Sequence, residues 1–272
     1  MAKPMNPVDL QAVFGLEPEA AIEYLKSKGY QITWDWQEML DQAHETAFTV
    51  AKAMRLDVLS DIRAALEKSL EEGQTLKQFV AELQPVLETQ GWWGKQVIVD
   101  AEGNAEMVQL GSPRRLKTIY QTNLQSAYMA GRRAEQEATI DTHPYWQYVA
   151  ILDGKTRPSH RALAGKVYPA NDPIWRAIYP PNGFNCRCRV VALSAAAVKR
   201  RKLVLVHSAD TVRTETVEVG VNKRTGEIRT AEITVVRTTD AAGKPVQFRT
   251  DPGFNHGPGE GLAEALKRKG AA

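Results

Sequence analysis

Asp153, His160, Cys186 and Cys188 are the residues of this 272-residue chain whose types and spacing could do chemistry together. Thiolate, imidazole and carboxylate form a workable tetrahedral zinc set. One residue between two cysteine ligands is tighter than the usual spacing, but on a strand of period two both thiols leave the same face and can converge. A metal-free arrangement uses the same residues. Asp153 then bonds the turn at Thr156, His160 bonds a backbone carbonyl, the thiols pack as small apolar groups, and Arg187 points to the opposite face. A disulfide between such near neighbours would be strained and would constrain little of the chain, so two thiols in a reducing compartment are expected. For catalysis, a Cys–His pair offers a nucleophile and base, and an Asp/His/Cys metal site offers hydrolysis. Neither comes with an oxyanion feature, a phosphate-cradling glycine loop or a catalytic motif. The expectation is therefore a protein without catalytic residues or a small-molecule substrate, zinc being the one cofactor its residues would suit.

The scaffold predicted for these residues is α+β: a helical N-terminal region, a long helix with a small antiparallel β module, and a β-rich C-terminal tail. Residues 96–194 are the positioning unit. Ser112-Pro113 opens a helix running from Arg114 to about Ala138, with Leu116, Ile119, Tyr120, Leu124, Ala127, Tyr128 and Gly131 on its apolar face. YWQYVAIL is β-prone, and the last six residues of YPPNGFNCRCRVVAL read as a strand. Pro180-Pro181 and Asn182-Gly183 give a rigid approach and a turn ahead of it. Tyr145, Trp146, Trp175 and Tyr179 are expected in the core or rim of this sheet. Val97 and Val99 alternate on one arm of a predicted hairpin, Val108 and Leu110 on the other, with Asp100 to Asn104 as the turn. Trp92-Trp93 ahead of it suits an anchor between regions or a partner contact.

Residues 1–95 read as helical after a loose start with Pro4 and Pro7. Pro18 opens one helix that ends at Gly29, and Gln31 to Trp36 is a connector. Helical spacing then runs from Gln37 to Leu70, through Met39, Leu40, Ala43, Ala47, Val50, Ala51 and Met54 and on through Leu59, Ile62 and Leu66. A break at Glu72-Gly73 precedes a Thr75-capped helix stopped at Gly91, in which Pro85 predicts a kink or a division. Residues 195–272 begin with a basic helix or linker (AAAVKRRK). They continue with β-like alternation in KLVLVH, TETVEVGV and AEITVVRT, and close with the Gly/Pro-rich DPGFNHGPGEG and a short amphipathic end. The Gly/Pro segment is expected to pack poorly.

Charge is unevenly spread along the chain. Residues 1–111 hold 9 Lys and Arg against 18 Asp and Glu, a balance of −9, whereas residues 112–202 hold 16 against 5, a balance of +11. A polyanionic partner is therefore sought on the basic middle. Arg114, Arg115, Lys117, Arg132, Arg133 and the run Lys199, Arg200, Arg201, Lys202 are the candidates for phosphate contact, which would be sequence-independent and salt-dependent. The competing reading is a solvated face, or pairing with the acidic N-terminal region. No run approaches the roughly 18 apolar residues of a membrane span, and the first residues lack the apolar core of a secretory leader, so no membrane partner is expected.

Three blocks give these features a context: TIYQTNLQSAYMAGR (118–132), AILDGKTRPSHRALAGKVYPANDPIW (150–175) and YPPNGFNCRC (179–188). In this order and spacing they resemble the phage head-morphogenesis (minor capsid) family, in its phage Mu F-like branch. The residues that carry the motif are Thr122 and Asn123, Asp153 with Thr156 and His160, Gly165, and Pro180-Pro181 with Cys186-Arg187-Cys188. Gln121 stands where members often carry Arg. EAAIEYLKSKG and DPGFNHGPG extend the likeness towards both ends. The resemblance implies a minor head protein inside the capsid, assembled in the host cytoplasm. Its implied partners are the phage portal, the major capsid protein, or both, with double-stranded DNA as a further one. Two alternatives follow from the residues themselves: a non-sequence-specific DNA-binding protein of packaging or ejection, and a zinc-dependent hydrolase.

Overall fold

The computed structural model describes residues 19–99, 103, 105–209, 211–222, 225–240, 242–260 and 262. Pro4, Pro7, Pro18, most of the predicted hairpin turn and nearly all of the amphipathic end lie outside these residues. Helix α1 (Glu19–Lys26) buries Ala21, Tyr24 and Leu25. The two-residue strand β1 (Gly29–Tyr30) pairs in parallel with β2 (Ala47–Phe48) across a loop holding a 3-10 turn (Trp36–Glu38) and the single-turn α2 (Ala43–Thr46). The continuous helix expected from Gln37 is thus broken into isolated turns before Leu56. Asp41 and Lys52 sit at φ 50° and 65°, in the left-handed region that a right-handed helix cannot contain. Met39, Phe48, Val50 and Ala53 reach the core from loop and extended backbone instead.

From Leu56 the period of the apolar residues and the structure agree. Helix α3 (Leu56–Glu72) buries Val58, Leu59, Ile62, Leu66 and Leu70, and Gly73 ends it in the left-handed conformation. Thr75 and Gln78 form a capping box for α4 (Leu76–Thr89), which continues through Pro85 without the predicted division. The hairpin β3 (Lys95–Val99) and β4 (Ala105–Gln109) follows, turning Val108 inward while Val97, Val99 and Met107 stay exposed. Ser112 then accepts the Arg115 amide and Pro113 fills the first turn of α5 (Pro113–Ala138), the longest helix described.

The small sheet has the order β6-β5-β7, all antiparallel, from β5 (Tyr145–Val149), β6 (Val167–Pro169) and β7 (Arg189–Leu193). Two single helical turns interrupt it, α6 (Pro158–Arg161) and α7 (Trp175–Ile178). Trp146, Tyr168, Trp175 and Tyr179 meet in a buried aromatic group with centroids 5.6 to 6.2 Å apart. Ser194 caps α8 (Ala195–Arg200). The segment KLVLVH then forms no strand beyond one bridge of Leu205 to Val167. β8 (Val212–Val221), β9 (Ile228–Thr239) and β10 (Pro245–Arg249) form an antiparallel sheet with β9 central, and the sequence reading did not anticipate β10.

One apolar core runs from Ala21 to Phe248 through all three regions, so each buries surface that the others leave open. The Gly/Pro segment takes part, contrary to its expected loose packing. Gly253, Phe254 and the run from His256 to Gly259 are buried. A Cβ on Gly259 would stand 2.7 Å from Ala130 Cα, which means that the missing side chain is what lets this backbone lie on α5.

Gly259 and Gly243 have left-handed φ values of 76° and 80°, but a Cβ on Gly243 would meet nothing within 4 Å. Alanine at either position pays about 1–2 kcal/mol of backbone strain. Only Gly259→Ala adds overpacking, about 1–3 kcal/mol more. Urea titrations of the two variants should show that difference; equal losses would contradict docking of the segment on α5.

Candidate functional site

His160 stands on the single turn α6, which Pro158 starts. Cys186 and Cys188 lie in the loop ahead of β7, not in the strand as read from the sequence. The two thiols still converge, because Asn185 at φ 58° turns the chain and Cys186 N donates back to the Gly183 carbonyl at 3.1 Å. Each Sγ lies 3.6 Å from His160 Nδ1, and all three residues are buried with both cysteines free. Phe248 of β10 covers the imidazole at a centroid distance of 5.6 Å. The Tyr148 hydroxyl contacts Cys188 and accepts from Asn182 Nδ2 at 3.0 Å. From α5, Gln125 Nε2 donates to the Cys188 carbonyl at 2.9 Å, locking the loop to the helix.

Electrostatics divides the two thiols. A hydrogen bond from Cys188 pulls Cys186 well below the ordinary thiol value; burial opposes, while His160 and the Asn182 backbone N–H assist. Cys188 is pushed well above that value by Cys186 and by burial. Burial, then the nearby sulfurs, raises the Tyr148 phenol.

Asp153 does not join this cluster. Arg187 grips its carboxylate with two bonds, Nη2 to Oδ1 at 2.6 Å and Nη1 to Oδ2 at 2.8 Å, and Lys155 N adds a third at 2.9 Å. This pairing holds the Asp153 carboxyl far below the usual range, chiefly through Arg187. The same guanidinium reaches Thr156 Oγ1 at 3.3 Å, and Thr156 also donates to the Ile151 carbonyl. Gly165, at φ 83°, exchanges backbone contacts with the β5 edge, its N–H donating to the Tyr148 carbonyl at 2.8 Å. The Pro180-Pro181 bond is cis. Asn123 Nδ2 donates to the Ile119 carbonyl at 2.8 Å, and Thr122 lines a cavity instead of joining the thiols.

That cavity, about 360 Å³, lies between α5, the 31–51 loop and the Gly/Pro segment. Its polar wall was not found from sequence, since Tyr24, Lys28, His44 and His256 share no local motif; Glu45 bonds to this wall without lining the cavity. Glu45 accepts from the Tyr24 hydroxyl at 2.7 Å and from Gly259 N at 2.9 Å, with His256 Nε2 3.4 Å away. Lys28 Nζ donates to Tyr24 Oη at 3.0 Å and to the His44 carbonyl at 2.5 Å. Burial pushes Lys28 down to about 8, with Glu45 opposing and Arg63 assisting. Burial, with Lys28 and His256 beside it, drives His44 to about 4. Burial raises Glu45, but bonds from His256 and Tyr24 outweigh it and the net shift is downward.

The basic candidates separate. Arg133 is buried, paired with Glu137 at 2.8 Å and donating to the Gly257 carbonyl at 3.0 Å. Arg115 donates to the carbonyls of Gln109, Leu110 and Ala51 and lies over the Trp92 ring. Both guanidiniums hold the fold together. Arg132 is half-buried, whereas Arg114, Lys117 and Lys199 to Lys202 are exposed. Gln136 Nε2 donates to the Val190 carbonyl, so β7 lies against the C-terminal end of α5. At 1.5 Å per residue, Lys117 stands roughly 30 Å back along the helix.

A family model described as phage Mu protein F like protein matches residues 60–191, from within α3 to β7. The capsid assembly protein F of Escherichia phage Mu is 48% identical over 270 residues, covering 98% of this chain and 60% of that protein. The Mu-like prophage FluMu F protein of Haemophilus influenzae is 45% identical over 241 residues, covering 88% of this chain and 56% of that protein. The chain thus spans less than two thirds of the length of either relative. No solved structure matches it. Among the described residues, no helix is long and apolar enough to cross a membrane.

The buried Lys28 yields a pH test. Below about 8 both folded and unfolded chains hold its proton, and the cost of burying the charge stands in full. Between about 8 and the ordinary 10.5 the folded chain has released a proton that the unfolded chain retains, so stability rises with pH. The slope contributed there is at most roughly 1.4 kcal/mol per pH unit. Urea titrations across this window should show that rise in the native protein and its loss in Lys28→Met. Parallel profiles would refute the burial of a charged Lys28.

Proposed function

The chain belongs to the phage Mu protein F like family, and on that premise we propose that it is a minor head protein acting in procapsid assembly of a tailed bacteriophage. The observation that carries this reading is the 48% identity, over 98% of the chain, to the capsid assembly protein F of phage Mu. The proposed place of action is the capsid interior beside the portal, with portal or major capsid subunits as partners. The β3–β4 hairpin supports such a contact. Val97 pairs directly with Met107, and with Val99 they leave large apolar side chains exposed on the hairpin, a surface suited to meeting another protein. No catalytic residue is assigned.

Contact with packaged DNA belongs to the same proposal, on a narrower set of residues than the sequence suggests. Lys199, Arg200, Arg201 and Lys202 are exposed, consecutive, and outside any ion pair among the described residues. Such a tract suits backbone phosphates and carries no base readout. A free DNA-binding protein of packaging or ejection is the alternative. It differs from the first reading in whether the protein stays with the particle.

Mass spectrometry of purified, surface-stripped particles should find this protein in every preparation; its consistent absence would overturn the head-protein reading. For the tract, the slope of log affinity against log salt on duplex DNA should shrink by about 0.9 for each phosphate contact removed in K199Q/R200Q/R201Q/K202Q. An unchanged slope would remove these residues from the DNA proposal.

A further inference from the structure

The buried imidazole of His160 is poorly provided for by protein atoms alone. Its Nδ1 faces two sulfurs at the same 3.6 Å, which is the contact that bears on a metal; its Nε2, which a metal on Nδ1 leaves as it is, has no hydrogen-bond partner among the described residues. One nitrogen lone pair can accept only one S–H, so a simple hydrogen bond accounts for one of these contacts and not for both. Three corners of a tetrahedron account for both. With zinc bonds of about 2.3 Å to sulfur and 2.0–2.1 Å to nitrogen, a tetrahedral angle places sulfur and nitrogen roughly 3.5 Å apart. The ligand atoms of His160, Cys186 and Cys188 all lie within 4.8 Å of one another.

We propose that His160 Nδ1 and the sulfurs of Cys186 and Cys188 bind one zinc ion, with Asp153 outside the ligand set. Two thiolates and a neutral imidazole leave the zinc complex uncharged, which suits a site closed off by Phe248 and Tyr148. The surroundings are those of a supported thiolate site. The Asn182 N–H serves Cys186, Gln125 fixes the Cys188 carbonyl, and the Tyr148 hydroxyl stands beside Cys188. Asp153 is committed to Arg187 and Lys155 N instead, and in that way anchors the residue between the two cysteines. Binding sends the thiol protons to solvent and leaves the zinc oxidation state unchanged. The ion would tie α6 to the loop that feeds β7, two segments 26 to 28 residues apart in the chain.

The test is zinc content of the full chain, purified without chelator, together with cobalt reconstitution of the metal-stripped protein. About one zinc per chain is expected, retained in Asp153→Asn and lost in Cys186→Ser and in Cys188→Ser. The unmutated protein carries a readout that does not depend on the folding of the serine variants. Cobalt should give the thiolate charge-transfer band and intense visible absorption of a tetrahedral site, abolished by added zinc. A folded, metal-free protein that gives no cobalt spectrum would overturn the proposal. So would zinc that persists in a folded Cys186→Ser/Cys188→Ser double variant, or zinc lost in folded Asp153→Asn.

Discussion

Everything in this fold is referred to helix α5, whose central turns have no face left for solvent alone. Leu116, Tyr120, Leu124 and Ala127 to Gly131 are buried, and a helix so enclosed must find partners for each polar side chain it carries inward. Gln125 and Gln136 do so by donating to the carbonyls of Cys188 and Val190, and Arg133 by reaching Glu137 and Gly257. Tyr120 donates to the Gln74 carbonyl between α3 and α4. Each bond is worth about 1 kcal/mol when made and costs more when a buried donor is left unpaired. The same contacts therefore stabilise the fold and select its arrangement.

Two small residues decide how close the other regions come. Gly131 lets α1 approach until a Cβ would stand 3.2 Å from Ala21 N, and Gly259 brings the tail onto Ala130 one residue away. The N-terminal region and the tail thus meet on adjacent residues of α5. Glu45, which accepts from Tyr24 and from Gly259, closes that junction, and Arg229 of β9 adds a second tie to Asp35 at 2.9 Å. The thiol cluster depends on the same geometry, since Phe248 reaches His160 only because the C-terminal sheet is held against the module.

Much of this was legible in the sequence where period and cap agree. α3, α4 and α5 announce themselves by apolar spacing together with Gly73, Thr75 and Ser112-Pro113, and β8 and β9 by alternation. The segment from Gln37 to Met54 misled because its apolar residues have helical spacing but its backbone is turned at Asp41, a residue type that tolerates the left-handed conformation, and at Lys52, which gives no such signal. The Gly/Pro tail misled for the opposite reason: glycines that look like slack are contact points, visible as such only once Ala130 is in place. At the site, His160, Cys186 and Cys188 lie together, whereas Asp153, grouped with them by residue type and by the motif it shares with Thr156 and His160, does not. The guanidinium between the cysteines competes for that carboxylate and wins it through two charge-assisted bonds. Buried glutamines on an otherwise apolar helix face were the overlooked sign of where the module docks.

The proposed assembly role is tested most directly by inactivating this gene in the phage that carries it and counting head forms in the lysate by electron microscopy. The account predicts normal tails with few or no DNA-filled heads, restored by supplying the protein in trans. Normal numbers of filled, infectious particles without the protein would contradict it.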